Sequence, residues 1–119
     1  MKIEFTLMGL PKTTNSGGRT HWALKTKEAR TWKQAVGWSV PSSYFIGKPL
    51  AKAKLTLVRC SSSEPDFDGL VSSFKHVIDG LVSAGVIIND KTSTIGQPTY
   101  LWEKTKRGMG HIKVTVEPK

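Results

Sequence analysis

Aspartates are confined to one short stretch of an otherwise basic chain. The sequence contains four of them, Asp66, Asp68, Asp79 and Asp90, and all lie between positions 66 and 90. Carboxylates repel one another and repel phosphate, so their grouping in a basic protein makes chemical sense if a divalent cation bridges them to a phosphate substrate. The pattern therefore predicts a hydrolytic metal site in this stretch.

Three charged residues of this stretch fall on one line of a predicted helix. Asp68, Lys75 and Asp79 are separated by seven and four residues, and at about 100° per residue these spacings place them on one face. Lys75 could there pair with Asp79 or stabilise charge on a phosphate. Simpler roles are also open: Asp66 could be a helix N-cap and Asp68 a partner of the helix dipole. Asp79 and Lys75 could form an exposed ion pair.

The chain carries a strong positive charge. Eighteen Lys and Arg against nine Asp and Glu give a formal net charge of +9, as expected of a protein that binds phosphate backbones. The sequence predicts no basic helix with a bulky apolar face, which is the kind of helix that binds membrane surfaces. We therefore expect nucleic acid as the partner, contacted from a polar loop and a basic helix by Lys12, Arg19, His21, Lys25, Lys27, Arg30 and Lys33.

Cysteine and histidine offer no second site. Cys60 is the only cysteine, which excludes an intrachain disulfide and a cysteine-based zinc site. We expect it to be a small buried strand residue. His21, His76 and His111 lie on different predicted elements and form no short motif, and we expect His76 at the surface. The aspartates thus remain the chemical centre of the sequence.

Hydrophobic periodicity predicts the elements that must position these residues. Alternation predicts strands at 2–8, 51–60, 95–103 and 110–117, while three- and four-residue spacings predict a basic helix over 22–37 and an apolar helix over 67–84. A chain of 119 residues fits one domain. The order βαβαββ predicts a small α+β domain with a mixed sheet and two helices packed on one of its faces.

The four tryptophans divide between these elements. We expect Trp22 and Trp32, on the basic helix, to be core or dimer-interface residues, and Trp38 and Trp102 to be packing residues. The chain has no run of about 18 apolar residues, and its N-terminus alternates apolar with polar residues instead of forming a signal-peptide core. These features predict a cytoplasmic protein.

The aspartate stretch resembles the signature of the RusA family of Holliday-junction resolvases. The family pattern is Asp-x-Asp-Asn-Leu, then Lys-x-x-x-Asp-Ala-Leu, then Ala-Gly and a closing Asp-Asp. In the same order this chain has Pro65-Asp66-Phe67-Asp68-Gly69-Leu70, Lys75-x-x-x-Asp79-Gly80-Leu81, Ala84-Gly85-Val86 and Asn89-Asp90. The N-terminal loop is similar too, since Pro11, Asn15 and Arg19-Thr20-His21 precede a basic helix.

The chain differs from the family pattern at three points. Gly69 stands where the family has Asn, Asn89 stands in place of the first acid of the closing pair, and three extra residues separate Asp68 from Lys75. We therefore expect a divergent subfamily, in which Asn89 serves as a neutral oxygen ligand or a hydrogen-bond donor. The two similar regions cover most of the chain up to residue 91.

The resemblance implies a magnesium-dependent, homodimeric endonuclease. Such an enzyme nicks two opposed strands of a four-way DNA junction during recombination and repair, in the cytoplasm of a bacterial or phage-infected cell. By position, Asp66, Asp68 and Asp90 would be the catalytic acids that bind Mg²⁺, and Lys75 would be the catalytic base or phosphate contact. Asp79 would support the site or be structural.

Two other functions are compatible with the same residues. A non-catalytic, basic DNA-binding module would use the acids only as caps and ion pairs, and its magnesium affinity would not depend on them. A basic RNase of toxin type would cleave RNA in preference to branched DNA.

Overall fold

The computed structural model describes residues 2–11, 22–40 and 49–119, with the backbone alone for 22–29. Within them the elements are β1 (Ile3–Met8), α1 (Trp22–Ser39), β2 (Ala53–Ser61), α2 (Phe67–Ser73), α3 (Lys75–Ser83), α4 (Thr92–Ile95), β3 (Thr99–Lys104) and β4 (His111–Pro118). The small single α+β domain predicted from periodicity is thereby confirmed.

The four strands form one mixed sheet in the order β1-β4-β2-β3. β4 is antiparallel to both β1 and β2, whereas β2 and β3 are parallel. Parallel neighbours need a crossover connection, and here the crossover is the segment that contains α2, α3 and α4. The aspartate stretch therefore occupies the connection between two adjacent parallel strands.

One face of the sheet forms the core with the helices. Leu57 pairs with Val114 across β2 and β4, and both are buried. From the helices, α1 contributes Trp32 and Val36 and α3 contributes Leu81 to the same cluster. Alternation in β4, and in β2 up to Leu57, places these side chains on the face that packs against the helices. Trp32 belongs to the same cluster, so the core role expected for it is confirmed.

The packing role expected for Trp38 is wrong. Its side chain is 86% exposed in the last turns of α1. Trp38 follows the buried Val36 by two residues, which is about 200° around a helix, so it points away from the core. Trp102, by contrast, is half-buried, and its Nε1 donates a hydrogen bond to Ser61 Oγ at 2.9 Å.

The helix predicted over 67–84 is broken at Phe74. This residue has φ −93° and ψ 0°, and its N–H bonds to Val71 O at 3.2 Å. The Phe74 ring is fully buried, with its centroid 6.1 Å from that of Tyr100, so core packing overrides the helical periodicity here. Asp68 lies on α2, whereas Lys75 and Asp79 lie four residues apart on α3. The prediction of one helical face for all three is therefore wrong, and only Lys75 and Asp79 share a helix.

The strand predicted over 95–103 begins later than expected. Residues Thr92–Ile95 form the short helix α4, and Gly96 follows it at φ +60°. Positive φ favours glycine, and Pro98 has no N–H to donate to a strand ladder. Regular pairing therefore starts only at Thr99, and the domain has four helices in its described part where two were predicted.

Candidate active site

Asp66 is the N-cap of α2. Its Oδ1 accepts a hydrogen bond from the Gly69 N–H at 2.9 Å, and its φ of −69° and ψ of 165° are extended, as a cap requires. Asp68 follows in the first turn, where its side chain is exposed. The capping role that the sequence allowed for Asp66 is thus confirmed, and the capping hydrogen bond is accepted by Asp66 Oδ1.

Asp66 lines a cleft together with an arginine that the sequence did not single out. The cleft has a volume of about 530 Å³ and is bounded by Leu10, Arg59 and residues 61–66. Arg59 Nη1 donates to Pro11 O at 2.6 Å, and burial lowers the pKa of its guanidinium. No carboxylate within the described ranges forms an ion pair with Arg59. Arg59 forms no motif with its neighbours, and β2 also carries Lys54, so the sequence offered no signal that would have singled Arg59 out.

Lys75 and Asp90 line a second cleft, which shares no residue with the first. It has a volume of about 390 Å³, and Ile78, Ile95 and Tyr100 contribute apolar walls. Both charged side chains are exposed. The structure therefore places two of the sequence-predicted catalytic residues at the same cleft.

A third cleft adjoins this one and extends it along α2. Its volume is about 450 Å³, and it shares Val71, Thr92, Gly96, Pro98 and Tyr100 with the second cleft while adding Phe67 and Gln97. We call the combined space the α2–β3 groove, with residues 67–78 on one side and 90–100 on the other. Lys75 and Asp90 thus lie at one end of a groove whose other end is at Phe67.

Asn89 fixes the turn that carries Asp90. Its Oδ1 accepts hydrogen bonds from the Lys91 N–H at 2.9 Å and from Thr94 Oγ1 at 2.7 Å. An amide oxygen has two lone pairs, and both are used here. Asn89 Oδ1 is therefore engaged within the turn, where it supports Asp90, and is not available as a metal ligand in this arrangement. The alternative role expected for Asn89, as a hydrogen-bond donor through its amide nitrogen, stays a prediction.

The three predicted metal ligands do not form one cluster. Among the residues that the structure describes, no group of three or more His, Cys, Asp or Glu side chains could hold a metal ion. Asp66 and Asp90 line different clefts. Oxygen ligands suit Mg²⁺, which usually keeps several waters and takes only one or two carboxylates plus substrate phosphates. The donors thus fit magnesium chemically, whereas a preformed three-acid cage is not present in this part of the chain.

The predicted DNA-contacting residues are only partly within the described ranges. Arg30 and Lys33 are exposed on α1. Lys25 and Lys27 lie on the same helix, but their side chains are outside the described part, as are Lys12, Arg19 and His21.

Two remaining predictions concern His76 and Cys60. His76 is half-buried, and its Nδ1 is buried with no hydrogen-bond partner among the described residues, so the surface position expected for it is only partly met. Cys60 is buried, as predicted, on the face of the sheet opposite the helices. Its Sγ lies 3.7 Å from Glu103 Oε2, which Lys113 Nζ also contacts at 3.1 Å. Burial raises the pKa of the Cys60 thiol.

Comparison with known proteins adds no family assignment. No protein-family model matches the chain, and no curated protein matches it. The described helices include none that is both long and apolar enough to cross a membrane. The similarity to RusA resolvases therefore rests on the order of the sequence motifs alone.

Proposed function

We propose that this protein is a magnesium-dependent, structure-specific DNA endonuclease that resolves four-way junctions by paired nicks, in the manner of the RusA family. The observation that supports this most directly is the position of Lys75 and Asp90. They come from separate parts of the family-like signature, yet they line the same groove. A structural ion-pair role does not account for Lys75, because neither of the ion pairs formed within the described ranges includes it.

In this proposal the groove binds the strand to be cut. The exposed ammonium group of Lys75 neutralises a backbone phosphate. Asp66, Asp68 and Asp90 are the proposed magnesium ligands, and because they do not form one cluster, one or two of these carboxylates would hold an ion together with substrate phosphates. Bound Mg²⁺ would supply a more acidic water and stabilise negative charge at phosphorus. Asn89 orients the turn that bears Asp90. Arg59, held through Pro11 O, places a cation in the cleft that Asp66 lines.

The positive charge supplies affinity for the rest of the junction. With a net charge of +9, the protein attracts DNA irrespective of sequence, since neutralised phosphates release condensed counterions. Arg30 and Lys33 on α1 are exposed and available to bind phosphates in this way. Replacing both with Ala should reduce the slope of log affinity against log salt by roughly 0.9 for each phosphate that the protein ceases to neutralise.

A homodimer follows from the symmetry of the substrate. Two equivalent strands must be nicked, and one small site per chain achieves this most simply in a two-fold dimer. Trp38, 86% exposed at the end of α1, and the outer strands β1 and β3 are the candidate contacts. Light scattering should then report about twice the chain mass of 13.1 kDa, and Trp38→Ser should lower that value if α1 forms the interface.

The protein would act in the cytoplasm, where it reaches bacterial or phage DNA.

The alternative is a non-catalytic DNA-binding module, which the capping role of Asp66 favours. Calorimetric titration with Mg²⁺ in the absence of DNA, followed by titration in the presence of an uncleavable phosphorothioate junction, separates the two. The endonuclease should bind Mg²⁺ more tightly with the junction, and Asp68→Asn and Asp90→Asn should each weaken that binding. Magnesium affinity that is the same in the wild type and both variants would favour the module.

A further inference from the structure

Phe67 occupies an unusual position for a large apolar residue. It lies between Asp66 and Asp68 in the first turn of α2 and is 65% exposed, whereas Leu70 in the same helix is 6% exposed. Isolated exposed apolar residues are common, so exposure alone carries no argument. Phe67 is also part of the wall of the α2–β3 groove, however, and there it faces a space large enough for a ligand.

The groove at Phe67 has the properties of a site for a flat, partly polar ring. Its volume of about 450 Å³ is within the range of small-molecule sites, which are mainly apolar with a few polar groups. Tyr100 provides a second aromatic wall, and the buried ring of Phe74 packs against it at a centroid distance of 6.1 Å. Thr92 and Gln97 add a hydroxyl and an amide at the rim, where they can reach the polar edge of such a ring.

The charges around the groove indicate what kind of ligand would carry the ring. Lys75 lies at the other end of the groove, which Asp90 also lines, and it forms no ion pair within the described ranges, so its ammonium group is available to an anion. Aromatic side chains beside a lysine provide stacking for a base and neutralisation for its phosphate, which is how single-stranded nucleic acid is bound. An apolar peptide would satisfy the aromatic walls but would give Lys75 no anionic partner.

We propose that the α2–β3 groove binds an unpaired nucleobase of branched DNA, stacked on Phe67 and Tyr100, with the adjoining phosphate at Lys75. This inference rests on the proposed function and extends it to how the branch point is recognised. A base at a crossover or in a single strand costs less to unstack than a base inside a duplex. The groove would therefore select branched over linear DNA and place the neighbouring phosphates beside Asp66 and Asp68.

Binding measurements without cleavage test the stacking. In EDTA, Phe67→Ala should weaken binding to a four-way junction by about 5- to 100-fold, the range for removal of one base–aromatic stack, and leave binding to linear duplex unchanged. Phe67→Trp should restore junction affinity. Met109→Ala is the matched control, because Met109 is 56% exposed in the turn between β3 and β4 and is not part of the groove wall, and it should change neither affinity. Thermal unfolding verifies that each variant is folded.

Crosslinking identifies the contact directly. A junction and a single strand, each with 5-iodouracil at successive positions, should crosslink on irradiation to Phe67 or Tyr100, as mapped by mass spectrometry. Unchanged junction affinity in Phe67→Ala together with no crosslink to either residue would overturn the inference, and the groove would then have another occupant, such as an apolar peptide. If the wild type still cleaves junctions in that case, the endonuclease proposal stands. Crosslinking of single strands by a protein that cleaves no junction would support the base site and contradict the endonuclease.

Discussion

Lys75 and Asp90 line one groove, although the rest of α3 and the turn after it lie between them in the sequence. Helical spacing alone links Lys75 with Asp68 and Asp79 instead. The fold brings Asp90 to Lys75 because the turn at Asn89 leads directly into α4, which packs beside β2 on the way to β3. The chemistry proposed for the groove depends on this tertiary arrangement and on the hydrogen bonds of Asn89.

We predict that Asn89→Ala lowers junction cleavage about 10- to 100-fold, the loss typical when a residue that orients a metal ligand is removed. The variant loses the two hydrogen bonds that Asn89 Oδ1 accepts from the turn. Asn89→Asp should restore cleavage, because a carboxylate can accept both bonds and matches the acid of the family pattern. Magnesium titration of the reaction rate provides the readout. Equal rates in wild type and Asn89→Ala would show that the turn does not position Asp90.

Substitutions of Asp66 separate its capping role from metal binding. Asp66→Ala should lower the free energy of unfolding by about 0.5–2 kcal/mol, whereas Asp66→Asn should change it little, since Asn is an equally good N-cap. Both variants should lose about a hundredfold in junction cleavage if the carboxylate charge is needed for catalysis. Glu117→Gln on β4 is the acid control and should retain activity. Full activity in Asp66→Asn would mean that Asp66 is a cap and nothing more.

The sequence predicted the helices and strands better than it predicted which of their residues meet in the folded structure. Alternation in β2 and β4 indicated the correct buried faces, because burial on one side of a sheet directly imposes a period of two. The break at Phe74 was not predictable, since the residue continues the helical apolar pattern and only its packing against Tyr100 distinguishes it. For the candidate site, the order of the motifs pointed to Lys75 and Asp90, but Arg59 was missed because a single arginine at a strand end has no local pattern.

Gly80 allows the close approach of α3 to α1. A Cβ at Gly80 would lie 3.0 Å from Val36 Cβ and 3.3 Å from the Lys33 Cα, and both neighbours belong to a packed helix. Overpacking costs about 1–3 kcal/mol, against a gain of about 1 kcal/mol in helix propensity. We predict that Gly80→Ala lowers the free energy of unfolding by up to about 2 kcal/mol, as measured in urea.

Gly37→Ala is the matched control for Gly80→Ala. It also lies in a helix, but a Cβ there would meet nothing within 4 Å, so helix propensity alone should raise stability by up to about 1 kcal/mol. Equal effects of the two substitutions would contradict a tight contact between α1 and α3.

Cys60 should make folding stability depend on pH in the alkaline range. Burial raises the pKa of its thiol, so the folded protein keeps the proton at a pH where the unfolded chain loses it. The unfolded state then binds fewer protons, and stability falls as the pH rises above about 8.5. Urea unfolding from pH 7 to 10 should show a steeper decline for wild type than for Cys60→Ala. Parallel profiles would indicate that the folded thiol titrates as freely as in the unfolded chain.

Mapping the products of a synthetic four-way junction tests the central claim most directly. Each of the four strands is labelled in turn, and the junction is incubated with Mg²⁺ beside a linear duplex of the same sequence. The proposed function predicts symmetric nicks in two opposed strands at the branch point, an intact linear duplex, and loss of both nicks in Asp90→Asn. An uncut junction, or a duplex cut as readily as the junction, would contradict the assignment of this protein as a junction-resolving endonuclease.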